Sequence, residues 1–518
     1  MHPSELTPPQ SAADSPWVVQ KFGGTSVGKF ATNIVDHIVI PSLAEQRVAI
    51  VCSARSNSSK AEGTTNRLLR AARASENPAT KSYTSLVEAV RQEHVDVAHD
   101  LIQSPELRDR LVSEINEECA HVVKILEAAQ VLGETSARCV DKVISAGEKL
   151  SCRFMAALLE DRGVAAHYVD LSEVIDFAVN GQGLDQAFYN DLARALAAKI
   201  DACGSKVPVV TGYFGPVPGG LLEKIGRGYT DLCAALVAVG VRARELQVWK
   251  EVDGIFTADP RKVPTARLLP TITPSEAAEL TFYGSEVIHP FTMEQVIRAR
   301  IPIRIKNVMN PKGNGTVIFP DSQAEFDKMA PGHDSKLFRT RSPTLLNGQR
   351  QGPKRPTAVT IKNKILVINV HSNKRSLSHG FFAGIFSVLD RWRLSIDLIS
   401  TSEVHVSMAL HSEMPLLNGS GDDYEIIDEN LQGAIADLQK YGTVDIIPGM
   451  AILSLVGKQM KNMIGVAGRM FSTLGENNVN IEMISQGASE INISCVIDER
   501  DADRALNILH TSLFTFLD

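Results

Sequence analysis

Lys21-Phe22-Gly23-Gly24-Thr25-Ser26-Val27-Gly28 stands where a β-branched run, Val18–Phe22, gives way to a helical stretch, and that position decides the fold of the N-terminal part. Paired glycines let main-chain N–H groups approach an anion, a helix N-terminus adds unpaired donors and a favourable dipole, and Lys21 supplies a point charge. The segment is suited to phosphate. From Gly23 to Gly28-Lys29 it nearly spells a Walker A loop, but Phe30 stands where that loop needs Ser or Thr, so the P-loop reading fails. Outward from this octamer, the runs Val18–Phe22, Val48–Cys52, Val207–Thr211, Leu246–Lys250 and Ile303–Ile305 alternate with the helical stretches Leu107–Leu132, Val140–Leu159 and Asp185–Ile200. Such alternation predicts an α/β domain, a mainly parallel sheet covered by helices on both faces, over residues 17–320.

Residues 321–356 turn polar and rich in Gly, Pro and Arg, as a linker does. An internal repeat follows: Gly384–Leu394 matches Gly468–Val479, Ile396, Asp397, Ile399 and Ser400 fall over Ile481, Glu482, Ile484 and Ser485, and Val404–Ser407 falls over Ile491–Ser494. Each copy reads as a ferredoxin-like βαββαβ unit, the first over 363–448 and the second over 449–518. The second copy runs out of chain before its last strand. Thr357–Lys362, an unassigned strand just before the first copy, is expected to cross over and supply that edge, since an open edge is a pairing liability.

With 518 residues the chain has room for about three domains. Apolar residues at 44% and charged residues at 22% exclude a disordered or fibrous chain. A net charge of −7, from 53 basic and 60 acidic residues, offers no bulk attraction for nucleic acid or an anionic membrane. Seven cysteines without a CxxC pair suit a reduced compartment, and residues 1–16 read as a loose tail without the apolar core of a signal peptide. No window approaches a membrane span. A cytoplasmic protein is expected.

The octamer resembles the opening signature of aspartate kinases, within the amino acid kinase family. Similar blocks recur as Ser53-Ala54-Arg55 with Gly63-Thr64-Thr65-Asn66, as Ser145-Ala146-Gly147-Glu148, as Thr211-Gly212-Tyr213 and as Gly226-Arg227-Gly228-Tyr229-Thr230-Asp231. Further blocks are Val252–Arg261 and Gly284–Pro290. The resemblance covers nearly the whole chain and is nearest to monofunctional fungal enzymes. It implies an amino acid kinase fold followed by two ACT domains, and transfer of the γ-phosphoryl group of ATP to the β-carboxylate of L-aspartate, the first step towards threonine and methionine. The shared phosphate loop alone would also suit a glutamate or acetylglutamate kinase, and a catalytically dead amino-acid sensor is a further alternative; the repeats fit the first poorly, and retention of Lys21, Glu148, Arg227 and Asp231 argues against the second.

By this resemblance Lys21, Gly23, Gly24 and Asp231 serve catalysis, while Thr25, Ser26, Ser53, Thr65, Glu148, Arg227, Gly228 and Thr230 bind substrate. Arg227 would grip the α-carboxylate, a bidentate task lysine cannot reproduce, and Glu148 would receive the ammonium. The ATP side would draw on Lys21, Gly24, Lys250, Glu251, Phe256 and Arg261, with Phe256 packing on the base; Lys306 and Lys312 are candidates for a second phosphate-binding lysine, because Met309 stands where bacterial relatives place one. Mg²⁺ would arrive with ATP, held by phosphate oxygens and water, with no protein metal site. The ACT modules would bind an effector amino acid, threonine by closest resemblance, through His379, Gly380, Phe381, Asp397, Asn480, Ser485 and Gln486. A homo-oligomer built through the ACT domains is implied.

Overall fold

The computed structural model describes residues 15–56, 62–177, 184–284, 288–319, 355–372, 380–411, 417–420, 423–458, 460, 463–487 and 491–515, with the side chains of 227, 417–420 and 423–425 excepted. The expected tail, most of the linker 321–356, His379 and the Ser285-Glu286-Val287 portion of one block lie outside those residues. By contacts the chain divides into two units: residues 1–255, 270–274 and 288–334 form one, and 256–269, 275–287 and 335–518 form the other. The stretch 17–320, expected as one catalytic domain, is therefore divided, because two of its segments pack with the C-terminal part.

In the first unit the strands are β1 (Trp17–Phe22), β2 (Arg47–Cys52), β3 (Ala166–Val169), β4 (Val207–Thr211), β5 (Glu245–Lys250), β6 (Thr271–Ile272), β7 (Ile303–Asn307) and β8 (Thr316–Ile318). Among the described residues they form an eight-stranded sheet in the order β3-β4-β2-β1-β5-β7-β8-β6. Only β8 breaks the parallel run, pairing antiparallel with β7. Every residue of β1 and of β4 is buried, as expected of central parallel strands covered on both faces. Each fully buried Val there contributes about 1.5–3 kcal/mol of hydrophobic transfer. The helix Tyr229–Gly240 is apolar around most of its circumference and is correspondingly sunk in the fold, and Ala137–Asp161 is amphipathic with a broad buried face.

From β1 the chain builds outward through β2 to one side, while β5 returns to pair with β1 on the other, so the strand order reverses between β1 and β5. In an open parallel sheet that reversal leaves a crevice beyond the carboxyl ends of the two strands. Phe22 and Trp249, register partners at those ends, stack with ring centroids 6.2 Å apart. The octamer begins at that place.

The second unit holds β9 (Ala358–Ser372), β10 (Leu398–Thr401), β11 (His405–His411), a small hairpin of β12 (Leu417–Ser420) and β13 (Asp423–Ile426), β14 (Gly442–Val456), β15 (Met483–Ser485) and β16 (Asn492–Asp498). The main sheet runs β10-β11-β9-β14-β16-β15. β9 and β14 are each 15 residues long and serve both repeats. Their register carries Val367 opposite Ile447 in one half and Val359 opposite Leu455 in the other, with irregularities between Ile447 and Ile452. Residues 358–362 thus lie hydrogen-bonded against 452–456, beside the second repeat.

Helices Phe381–Arg391 and Glu429–Leu438 cover one half, with Ile385 and Leu431 against Ile368 and Val406. Val466–Glu476 and Ala502–His510 cover the other, with Met470 and Leu506 against Leu453 and Ile493. The inner faces of the halves meet through Ile365, Val367, Leu398, Ile452, Met483 and Val496, joined by Tyr283. The run after Ile255 is pinned to this unit: Ala258 and Val263 enter the second repeat's core, and the His510 ring lies between the hydroxyls of Thr257 at 2.8 Å and Thr265 at 3.2 Å. No helix among the described residues is long and apolar enough to cross a membrane, and the seven cysteines are unpaired thiols.

Candidate functional site

At the end of β1 the Lys21 ammonium, buried to 9% exposure, pairs with Asp231 Oδ1 at 2.7 Å. Lys21 is the penultimate residue of β1, and Asp231 lies in the first turn of Tyr229–Gly240. The helix Gly24–Ile34 starts at the same place, with Gly23 as an extended N-cap, so the leading N–H groups of two helices converge beside one lysine. Gly24 is required sterically: a Cβ there would lie 2.2 Å from the Ala54 carbonyl oxygen. The loop after β2 is stitched to the octamer, Ser53 N donating to Phe22 O at 3.1 Å and Ser56 N to Gly24 O at 3.0 Å. Thr64 N then donates to Arg55 O at 3.1 Å, which sets Thr65 in the first turn of the helix Thr64–Ser75. Ser26 Oγ donates to Glu251 Oε1 at 2.7 Å, bridging the β1 and β5 sides of the crevice.

Glu148 lies inside this cluster at 1% exposure. Thr230 Oγ1 donates to its Oε1 at 2.6 Å, and Oε2 is buried with no hydrogen-bond partner among the described residues. Burial pushes its carboxyl up to about 7, against the opposing pull of the Thr230 hydrogen bond and the Lys21 charge. Two glycines allow the approach: a Cβ on Gly147 would lie 2.9 Å from Ala54 Cβ, and one on Gly212 would lie 2.5 Å from Thr230 Cγ2. Blocks separated by 200 residues of sequence thus converge on one site; Lys21, Gly23, Gly24, Thr25, Ser26, Ser53, Thr65, Glu148, Thr230 and Asp231 all belong to the elements that frame it. Gly226–Gly228 form a single tight turn leading into Thr230, and Gly226 at φ 79° needs to be glycine. The side chain of Arg227, carried on that turn, lies outside the described residues.

The expected nucleotide side separates into parts. Lys250 ends β5, and its carbonyl accepts from Val308 N at 2.8 Å. The Lys306 ammonium lies 4.8 Å from the Trp249 ring centroid, and burial lowers its pKa. Lys312 is exposed on the turn after β7. Asp253 accepts from Asn307 Nδ2 and Asn310 Nδ2, both at 3.1 Å, and so shapes that turn. Phe256 and Arg261, expected beside the base and phosphate, group by contacts with the second unit. Arg261 is tied to Asp259 by two guanidinium donors and is 86% exposed, while Phe256 bridges to Leu268 through the main chain. The neighbouring Ala258 and Val263 draw that run into an apolar core.

Of the expected effector contacts, Gly380 is a left-handed N-cap at φ 96°, and Phe381 is buried in the core of the first repeat, which makes it a packing residue. Asp397 is 7% exposed and paired with Lys362 at 2.8 Å. Asn480 donates to Glu482 at 2.7 Å, Ser485 ends β15, and Gln486 follows it.

Sequence reasoning missed Asp141. It is buried, and its carboxylate accepts from Leu221 N and, at 3.1 Å, from Leu222 N, capping the short helix that precedes the 226–228 turn. The available signal was its spacing: Asp141 stands two helical turns before Glu148 on the same helix, so the two carboxylates share a face. Arg55 was also passed over as a site residue; it is 5% exposed and donates to Gly28 O at 3.1 Å, bracing the octamer from behind.

Residues 16–307 match the amino acid kinase family, and residues 453–513 match the ACT domain. An aspartokinase of Schizosaccharomyces pombe is 56% identical over 96% of this chain and 92% of its own length. One from Saccharomyces cerevisiae is 54% identical over 98% and 94%. Among solved structures, E. coli aspartokinase III in complex with aspartate and ADP (R-state) superposes with a TM-score of 0.70 at 26% identity, covering 96% of this chain and 99% of that one. The complex of the same enzyme with lysine and aspartate (T-state) gives 0.72 at 27% identity, with the same coverage. The convergence of a strand-end lysine, two helix N-termini and a buried glutamate agrees with these likenesses: the chain belongs to the amino acid kinase family, among its aspartokinases.

Proposed function

We propose that the chain transfers the γ-phosphoryl group of ATP to the β-carboxylate of L-aspartate, yielding ADP and 4-phospho-L-aspartate. The supporting observation is the Lys21–Asp231 pair at the strand-order reversal, held between two helix N-termini. A carboxylate is ionised near neutral pH, so the nucleophile needs no general base, and the site's task is alignment and neutralisation of charge gathering on the phosphoryl oxygens. Lys21 and the N–H groups at Gly23–Gly24 supply the positive end, and Asp231 holds Lys21 in place. The open oxygen of Glu148 suits the substrate ammonium, and Arg227 takes the α-carboxylate; Thr25, Ser26, Ser53, Thr65, Gly228 and Thr230 line the pocket. ATP approaches from the β5–β7 side, past Lys250, Glu251, Lys306 and Lys312. Mg²⁺ comes with ATP and neutralises its phosphates, held by phosphate oxygens and water.

Residues 363–448 and 449–518, with the edge strand 357–362, act as two ACT modules that sense an amino acid, threonine in our reading, in a cytoplasmic homo-oligomer serving threonine and methionine synthesis. The ACT match and the solved relative's complex with lysine and aspartate support an amino-acid effector. Coupled measurement of ADP release on addition of aspartate, ATP and Mg²⁺ tests the reaction. Folded protein that turns over acetylglutamate instead of aspartate would reassign the substrate.

A further inference from the structure

Gly215, Gly219, Gly220, Gly226 and Gly228 all fall in the stretch 215–228 that carries Arg227, so this part of the chain has little conformational preference of its own. The helix inside it, Leu221–Ile225, is five residues long and too short to persist unaided. Gly226 leaves that helix at φ 79° and opens the Gly226–Gly228 turn directly. The place of the Arg227 backbone must therefore be fixed from outside the stretch.

Asp141, 1% exposed on the helix Ala137–Asp161, does this. Both of its carboxylate oxygens are used: Oδ2 accepts from Leu221 N, and Oδ1 accepts from Leu222 N at 3.1 Å. These are the leading N–H groups of the short helix, which have no partner within it, and a carboxylate acceptor makes each bond a strong one. Shape reinforces the contact. Gly220, at φ 87°, lies so close to the same long helix that a Cβ on it would stand 2.8 Å from Ala137 Cβ. Two turns further along that helix, about 10 Å away, Glu148 accepts from Thr230 Oγ1 at 2.6 Å. Residues 221–230 are thus pinned to one helix at two points, by Asp141 ahead of Arg227 and by Glu148 after it.

We propose that Asp141 is a positioning residue for substrate capture. By holding the start of the short helix it sets the separation between the Arg227 backbone and the Glu148 carboxylate, and so lets the α-carboxylate and the ammonium of one substrate molecule be received together. The inference rests on the reading of Arg227 and Glu148 as the receivers of aspartate. Asp141 itself touches neither substrate nor nucleotide. The Lys21–Asp231 pair lies beyond the second pin, on the helix Tyr229–Gly240, so the phosphoryl side of the site is held independently of Asp141.

Steady-state kinetics and amide hydrogen exchange on the full-length chain test it. Asp141→Asn keeps the size of the side chain but gives up one of its two acceptors. It should raise the KM for aspartate by about tenfold or more, with kcat and the KM for ATP within about threefold of wild type, and Asp141→Ala should go further in the same direction. Asp185→Ala is the control for stability alone: it removes the N-cap that accepts from Phe188 N at 2.9 Å, and should lower the melting midpoint without moving either KM. Exchange reads the positioning without turnover. Amides of 221–228 should exchange about tenfold or more faster in Asp141→Asn, while those of the helix Tyr229–Gly240 keep their wild-type rates. A wild-type KM for aspartate in Asp141→Asn, a loss confined to kcat, or unchanged exchange at 226–228 overturns the inference. Absence of aspartate-dependent ADP release in the wild type overturns the kinase reading instead, and the exchange rates then decide whether Asp141 holds the turn.

Discussion

Lys21 Nζ lies 2.7 Å from Asp231 Oδ1, which locks the last charged side chain of β1 to the first turn of the helix Tyr229–Gly240. A lysine so restrained is aimed before any phosphate arrives. Lys21→Ala should lower kcat by about 10²–10³-fold, the scale of losing one preorganised charge in a transition state, while the KM for aspartate stays within a few-fold. Steady-state ADP release checks this; retained kcat with a large rise in KM would make Lys21 a substrate-binding group.

Glu148 gives the site a pH signature. Its carboxyl is raised from 4.5 to about 7 in the folded chain, so the folded state holds the proton more tightly than the unfolded one. Stability from this group is complete below about 4.5 and is lost as pH rises through 7, by about 3 kcal/mol in total, since one unit is about 1.4 kcal/mol. A substrate ammonium favours the ionised form, so aspartate should bind more weakly as pH falls below about 7, with proton release on binding. Glu148→Gln should flatten that dependence while binding aspartate poorly, as measured by titration at several pH values.

Gly24→Ala tests the close packing behind the octamer. With its Cβ 2.2 Å from the Ala54 carbonyl, the loop or the helix must shift, at a cost of about 1–3 kcal/mol. Thermal unfolding should show a lower midpoint, and ADP release should fall because Lys21 moves with the strand end. Gly23→Ala, whose Cβ would meet nothing within 4 Å, should be far milder.

Arg227→Ala should raise the KM for aspartate more than it lowers kcat, and Arg227→Lys should recover little, because a point charge cannot pair with both carboxylate oxygens. Equal losses in both variants, confined to kcat, would remove Arg227 from substrate capture.

Gln486→Ala is the informative change among the expected effector contacts. Asp397→Asn is not, because it leaves Lys362, 14% exposed, without its partner at 2.8 Å and should destabilise the second unit by about 3 kcal/mol or more. Threonine inhibition curves and melting profiles on both variants separate the two effects: Gln486→Ala should shift inhibition alone.

Much of the fold was legible because its strands obey local rules. Val207–Thr211 has the bounds read from its β-branched run, and Val18–Phe22 and Leu246–Lys250 each differ from the folded strand by one residue. Close glycine contacts brought the motif blocks together, a relation that spacing alone leaves undetermined. What stayed hidden was allegiance. Ala258, Val263 and Tyr283 are ordinary apolar residues in a stretch continuous with the kinase sequence, and nothing local states which core they enter. Phe381, an effector contact by resemblance alone, opens a helix whose apolar stripe, with Ile385 and Leu389, points into the core. The β12–β13 hairpin falls in a Gly/Ser-rich stretch with no alternation to reveal it.

Because β9 and β14 run unbroken through both repeats, neither repeat has a boundary at which it could be cut free. A fragment beginning after Lys362 would leave Ile452–Val456 with an unanswered seam, and such a piece would borrow a strand from a neighbouring molecule or precipitate. Recombination or engineering that transplants this unit must therefore carry both halves as a single cassette, and the two can diverge in sequence only while remaining bolted together.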